Sequence, residues 1–114
     1  MENVVFNDLK RRGFNVDVGL VEYNYRDENG KKGRKQLEVD FVLNQGSQRY
    51  YVQSALTVAD QAKREQEIES LIRIPDSFKK IVVVKDYMTP WRDDNGILYI
   101  GIEQFLLDAN SLNI

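Results

Sequence analysis

Between Glu2 and Arg12 the apolar residues Val5, Phe6 and Leu9 recur at helical spacing, and Lys10, Arg11 and Arg12 crowd the last turn before Gly13. The spacing predicts a short helix capped by Gly13, with the basic residues complementing its C-terminal dipole. No capping residue precedes a helix that opens almost at Met1, as expected of a segment cut from a longer protein. Phe14 to Arg26 alternates in part and is rich in Val and Tyr, so it reads as a strand, and Asp27-Glu28-Asn29-Gly30 supplies turn chemistry. A basic hairpin tip over Lys31 to Lys35 then leads into Leu37-Glu38-Val39-Asp40-Phe41-Val42-Leu43. Strict alternation there would put Leu37, Val39, Phe41 and Leu43 on one face of a central strand and Glu38, Asp40 and Val42 on the other.

Asn44-Gln45-Gly46-Ser47 is a tight-turn signal, and Arg49 to Leu56 is the returning strand. Thr57 with Asp60 resembles a capping box opening a helix that stops before Pro75. Its apolar stripe of Val58, Ala62, Ile68, Leu71 and Ile72 is sparse, so one side must face water. The run Ile81-Val82-Val83-Val84, flanked by lysines, is the signature of a strand buried on both faces, which requires helices on both sides of the sheet. Asp93-Asp94-Asn95-Gly96 is a turn before a strand over Ile97 to Ile100. Glu103 to Ala109 is a terminal helix anchored by Phe105, Leu106 and Leu107. The expected fold is α/β: a helix, a three-stranded antiparallel meander, a crossover helix, two further strands and a C-terminal helix.

A two-residue turn at Gln45-Gly46 pairs residues of opposite parity, so Glu38 and Asp40 are expected to share a face with Tyr51, Gln53 and Ala55. Polar groups buried there without partners would cost about 1 to 3 kcal/mol each, so their placement needs a reason.

At 114 residues, 42% apolar and 30% charged, the chain has the dimensions of one folded domain, 1–114. No apolar run is long enough for a membrane span, and the N-terminus does not read as a signal peptide, so a cytoplasmic setting is the expectation. Cysteine and histidine are both absent. Disulfides, thiol nucleophiles, Ser-His-Asp triads and His/Cys zinc sites are thereby excluded. Carboxylates, amides and hydroxyls remain, a set that suits hard cations such as Mg²⁺. The net charge of −2 provides no global attraction to phosphate backbones, and a local patch would have to do so.

A helix with an acid near its start, a strand bearing Asp, a tight turn, and a strand bearing an acid or amide two residues before a Lys form the pattern of PD-(D/E)XK nucleases. The chain resembles it through Glu2, Asp40 and Gln53. It is also similar over nearly its whole length to the nuclease-like C-terminal domain of a group of prokaryotic AAA+-type ATPases. Glu2-Asn3-Val4-Val5, Glu38-Val39-Asp40-Phe41-Val42, Tyr51-Val52-Gln53-Ser54-Ala55 and the final Phe105-Leu106-Leu107 helix carry that likeness. The resemblance implies a restriction-endonuclease-like core, an N-terminal, ATP-binding ATPase region as neighbour, and a Mg²⁺ site at Asp40, Glu2 and Gln53. In active members such carboxylates activate water and a Lys positions it or offsets charge. Here Gln53 is a neutral ligand, and Ala55 stands where the Lys would be. The implied site is degenerate, because a methyl group neither donates a hydrogen bond nor carries charge.

Each of these residues also has a plainer reading. Asp40 and Glu38 could line a half-exposed strand face, and Glu2 complements a helix dipole whatever else it does. Arg26, Lys31, Lys32, Arg34 and Lys35 form the candidate DNA-binding patch or merely solvate a hairpin, with Tyr23 and Tyr25 stacking on bases or packing across strands. Trp91 is a core lid or an exposed contact. Three functions follow as expectations: a catalytically impaired docking module for nucleic acid or protein, an active Mg²⁺-dependent DNA endonuclease, or a pure protein-interaction domain.

Overall fold

The computed structural model describes residues 2–55, 68–74, 76–85, 89–108 and 111–113, apart from the side chains of Glu2, Tyr23 and Asn113. The first helix, α1 (Glu2–Arg11), ends as its sequence requires. Gly13 takes φ 89°, the Phe14 amide reaches back to the Leu9 carbonyl, and the Gly13 amide reaches the Lys10 carbonyl. These two bonds satisfy carbonyls that a helix end leaves unpaired.

Strands β1 (Asn15–Arg26), β2 (Lys32–Gln45) and β3 (Gln48–Ala55) form an antiparallel meander. The described helical residues that follow, α2 (68–72), bury Ile68 and Leu71 while Ile72 is exposed. Thr57, Val58, Asp60 and Ala62 lie outside the described residues. Then come β4 (Lys79–Val84), β5 (Trp91–Arg92), β6 (Leu98–Gly101), α3 (Ile102–Leu107) and a 3₁₀ turn over Ser111–Asn113. The six strands make one mixed sheet in the order β1-β2-β3-β4-β6-β5, with β4 parallel to both β3 and β6. Among the described residues no helix is long and apolar enough to cross a membrane.

The sheet is covered on both sides, as the continuous apolar run in β4 demands. Ile81 and Val83 join Val5 and Leu9 of α1 and Phe105 of α3 in one core layer. Val82 and Val84 join Ile68 and Leu71 of α2 in the other. Ile81, Val82, Val83 and Val84 are all fully buried, so neither face of this part of β4 meets solvent.

Several local expectations need correction. The basic stretch is not a loop, because β2 starts at Lys32 and its ladder with β1 runs out to the Arg26–Lys32 pair. The tight turn is one residue later than expected, with Gln45 opposite Gln48. Trp91 belongs to an unforeseen edge strand, where it is half-buried and stacks on Tyr99 with ring centroids 4.4 Å apart. That is the core-lid reading. Leu107 is 87% exposed and anchors nothing, leaving Phe105 as the buried residue of α3.

The alternation predicted for Leu37 to Leu43 also breaks. Asp17 pairs with Val42 and Gly19 with Val39, so Asp40 and Phe41 together face the single residue Val18. This is a β-bulge. Beyond it the parity changes sides: Phe41 and Leu43 pack in the α1 layer, while Val39 packs with Val42 in the α2 layer. Gly19 makes room for the bulge, since a Cβ at that position would lie 2.5 Å from Val42 Cγ2 and 3.3 Å from Val39 Cβ.

Candidate functional site

The bulge delivers Asp40 to the place where β2 and β3 stop pairing through their backbones. Their regular register runs from Gln45–Gln48 to Phe41–Val52, and continuing it one step sets Asp40 against Gln53. There side chains take over the ladder. The Asp40 amide donates to Gln53 Oε1 at 2.9 Å, and Asp40 Oδ2 accepts both the Ser54 amide and the Ser54 hydroxyl, each at 2.8 Å. A half-buried carboxylate is thus supplied with two donors, and a backbone amide that would otherwise lose its partner is satisfied.

Of the expected metal ligands, Asp40 and Gln53 are neighbours. Glu2 opens α1, whose next turn carries Phe6, and the Phe6 ring lies 6.1 Å from that of Phe41. The N-terminal half of α1 therefore lies over the bulge, while the Glu2 side chain is outside the described residues. Glu38 is exposed. Ala55 is 4% exposed and packs in the α2 layer beside its β4 partner Val84. Among the described residues no three acidic side chains converge as a metal cage. The residue that sequence reasoning undervalued is Ser54. Its signal was a hydroxyl next to an amide at the end of an otherwise apolar strand, which gains meaning only once the register is known.

The basic hairpin is the second candidate. Arg26 faces Lys32 and Asn24 faces Arg34, so the three cations occupy one face of the ladder, and Lys35, opposite Tyr23, belongs to the other. Lys31 lies in the tip, where its amide donates to Asp27 Oδ1 at 2.8 Å. Tyr25 lies across Gly33 so closely that a Cβ there would be 2.4 Å from its Cζ. Only glycine leaves that space. A cleft of about 590 Å³ at this end is lined by Asn24, Tyr25, Arg26, Lys32, Gly33 and Arg34. Arg34 approaches Glu22 at 3.9 Å, but both groups are exposed, and such a pair leaves its cation available to a competing anion. From residue 22 to 35 five cations meet three carboxylates, so this region is locally positive on a chain whose net charge is −2.

Against known proteins, the profile described as "Domain of unknown function (DUF4143)" matches residues 1–105. An uncharacterized protein of Haemophilus influenzae is 31% identical over 107 residues, which are 94% of this chain and 22% of that protein. The chain thus spans about a fifth of that relative's length. No solved structure matches. With nearly its whole length matched, the chain belongs to the family of the domain of unknown function DUF4143.

Proposed function

We propose that the chain is a PD-(D/E)XK-like module, built on a restriction-endonuclease-like core, that docks nucleic acid through the β1–β2 hairpin and does not cut it. The observation that carries this reading is the row of Arg26, Lys32 and Arg34 on one face of the hairpin end, with the Tyr25 ring over Gly33 on its other face. Guanidinium and ammonium groups neutralise backbone phosphates, and an exposed ring provides a stacking surface. Lys31 and Lys35 would add charge from the tip and the opposite face. The neighbour in a longer chain would be the N-terminal ATPase region of a prokaryotic, cytoplasmic AAA+-type protein, as the resemblance implies.

Two features favour docking over catalysis. The Asp40 carboxylate is engaged by Ser54 through two hydrogen bonds, and Ala55 sits in an apolar layer instead of offering a cation. Mg²⁺ at Asp40, Gln53 and Glu2 remains the basis of the alternative, an active Mg²⁺-dependent endonuclease, in which Gln53 would be a neutral ligand. A protein-only docking role through the sheet edge is the third reading.

The test is DNA binding by the intact chain across a salt series. Binding should weaken steeply with salt, and the variant R26Q/K32Q/R34Q should lower the slope of log K against log salt by about 2 to 3 units. Salt-independent binding, or unchanged binding by the triple variant, would overturn the docking proposal. Plasmid cleavage with Mg²⁺ that disappears in Asp40→Ala would instead establish the endonuclease.

A further inference from the structure

Beyond the Asp40 clasp the sheet narrows. Backbone pairing of β2 with β3 ends at Phe41–Val52, whereas its pairing with β1 continues from Leu20–Glu38 out to Arg26–Lys32. Among the described residues no third strand accompanies this outer ladder, which is a two-stranded ribbon.

The faces of the ribbon differ in chemistry. Glu22–Gln36, Asn24–Arg34 and Arg26–Lys32 are cross-strand pairs on one face, and all six residues are exposed. On the other face Val21 packs against the α2 layer and the Tyr25 ring covers Gly33. Binding of single strands interleaves cations with stacking rings on one surface. Here the three pairs that carry the cations include no ring, so a single strand laid along them meets nothing to stack on. The face holds three cations against one carboxylate. That carboxylate, Glu22, accepts the Gln36 side-chain amide at 2.7 Å and lies 3.9 Å from Arg34. Toward the rest of the sheet the next pair is Leu20–Glu38, apolar and acidic, which confines the basic strip to the three outer pairs.

The dimensions and residue types fit a duplex. Four residue steps from Glu22 to Arg26 span about 14 Å, or about four base-pair steps of B-DNA. Two strands about 4.8 Å apart form a ribbon that the major groove, about 12 Å wide, admits. An Asn side chain offers a donor and an acceptor together, matching the exposed edge of adenine, and an Arg fork offers two donors, matching that of guanine. Asn24 and Arg34 face each other in the middle of the strip. We propose that the outer β1–β2 ribbon enters the major groove of duplex DNA, with Asn24 and Arg34 toward the base edges and Arg26 and Lys32 on flanking phosphates. This rests on the docking reading above and narrows its ligand to duplex, with the Tyr25 ring bracing the ribbon from behind.

Fluorescence anisotropy of the intact chain with a short duplex, and with its two separated strands, tests the proposal. The duplex should bind about tenfold more tightly than either strand. A duplex whose cytosines carry glucosylated hydroxymethyl groups, which fill the major groove, should bind about tenfold more weakly, and netropsin in the minor groove should not compete. Selection from randomised duplexes should enrich an A·T pair beside a G·C pair. Asn24→Ala should lose the preference for A·T while keeping the salt slope, which R26Q/K32Q should lower. Single strands binding as tightly as duplex, indifference to the glucosyl groups, or displacement by netropsin overturns the groove assignment and leaves the docking reading standing. A preference unchanged in Asn24→Ala overturns the base-reading role. Absence of salt-dependent binding to either form overturns the docking reading itself, and the groove assignment with it.

Discussion

Ser54 gives both its backbone amide and its hydroxyl to one oxygen of Asp40, Oδ2, at 2.8 Å each. The carboxylate that sequence reasoning offers as a metal ligand is thereby the clasp that continues the β2–β3 ladder where backbone pairing ends. Hydrogen bonds to a charged acceptor contribute about 1.5 to 3 kcal/mol each. Asp40→Ala should therefore lower stability by about 2 to 3 kcal/mol in urea unfolding, and Ser54→Ala by about 1 kcal/mol. Asp40→Asn, which keeps an acceptor oxygen, should fall between them. Were Asp40 instead held for a cation, Mg²⁺ would raise the wild-type midpoint and leave that of Asp40→Ala unmoved, and an unchanged wild-type midpoint is the expected result.

The bulge that aims Asp40 depends on an absent side chain in β1. Gly19→Ala would thrust a methyl group to within 2.5 Å of Val42 Cγ2, with Val39 Cβ 3.3 Å away behind it. Overpacking of this kind costs about 1 to 3 kcal/mol. The loss should appear as a lower denaturation midpoint, and Val42→Ala in the same chain should recover part of it by removing the nearer contact. Failure of Val42→Ala to recover any would place the strain elsewhere.

Arg12 ties the end of α1 to the C-terminal elements. Its guanidinium donates to Ser111 Oγ at 2.8 Å and to the carbonyls of Phe105 and Asp108, lies over the Phe105 ring, and pairs with Asp8 at 2.8 Å. Asp8 is buried, and Arg11 is its other cation. Removing Arg12 leaves a buried carboxylate with one exposed partner, so Arg12→Ala should cost about 3 kcal/mol. Arg12→Lys keeps the charge without the planar fork and should recover less than half. The double variant D8A/R12A should cost less than the sum of the single variants, a coupling that a denaturation double-mutant cycle measures directly.

Tyr51 gives a pH signature. Burial first, and donation to Asp76 second, raise its hydroxyl pKa above the ordinary tyrosine value, with the Arg49 cation opposing. A group whose folded pKa is raised keeps its proton in the folded state while the unfolded chain loses it. Its contribution is therefore complete below the unfolded tyrosine pKa of about 10 and disappears as pH climbs through the folded value. Lys79 works in the opposite sense, since its lowered pKa makes the folded state bind fewer protons just below the ordinary lysine range, so stability rises with pH there. Denaturation midpoints measured from neutral to strongly alkaline pH should fall less in Tyr51→Phe than in the wild type. Parallel pH curves for the two proteins would count against this account.

Helix α1 with its glycine cap, the doubly buried strand Ile81–Val84 and the turn at Asp93–Gly96 were all legible in the sequence, because each depends on periodicity or on residues within a few positions. The polar positions of the candidate site were legible too, as a set: Asp40 and Gln53 stand out on apolar strands. Their arrangement was not. Strict alternation assigns Val39 and Phe41 to one face, and the bulge that separates them is specified by Gly19, a residue on another strand. The edge strand at Trp91 likewise exists only through its pairing with Tyr99.

By itself the sequence determined which chemistry these 114 residues cannot supply, since they contain no cysteine or histidine, and which short segments are helix, strand or turn. Tertiary structure alone decided that Asp40 meets Ser54, that Ala55 enters an apolar layer, and that three hairpin cations share a face. The physical reason is range. Propensity and periodicity act between neighbours in the chain, whereas the partner of a buried carboxylate or the side of the sheet a residue faces is set by register between strands. That register depends on packing summed over the whole sheet.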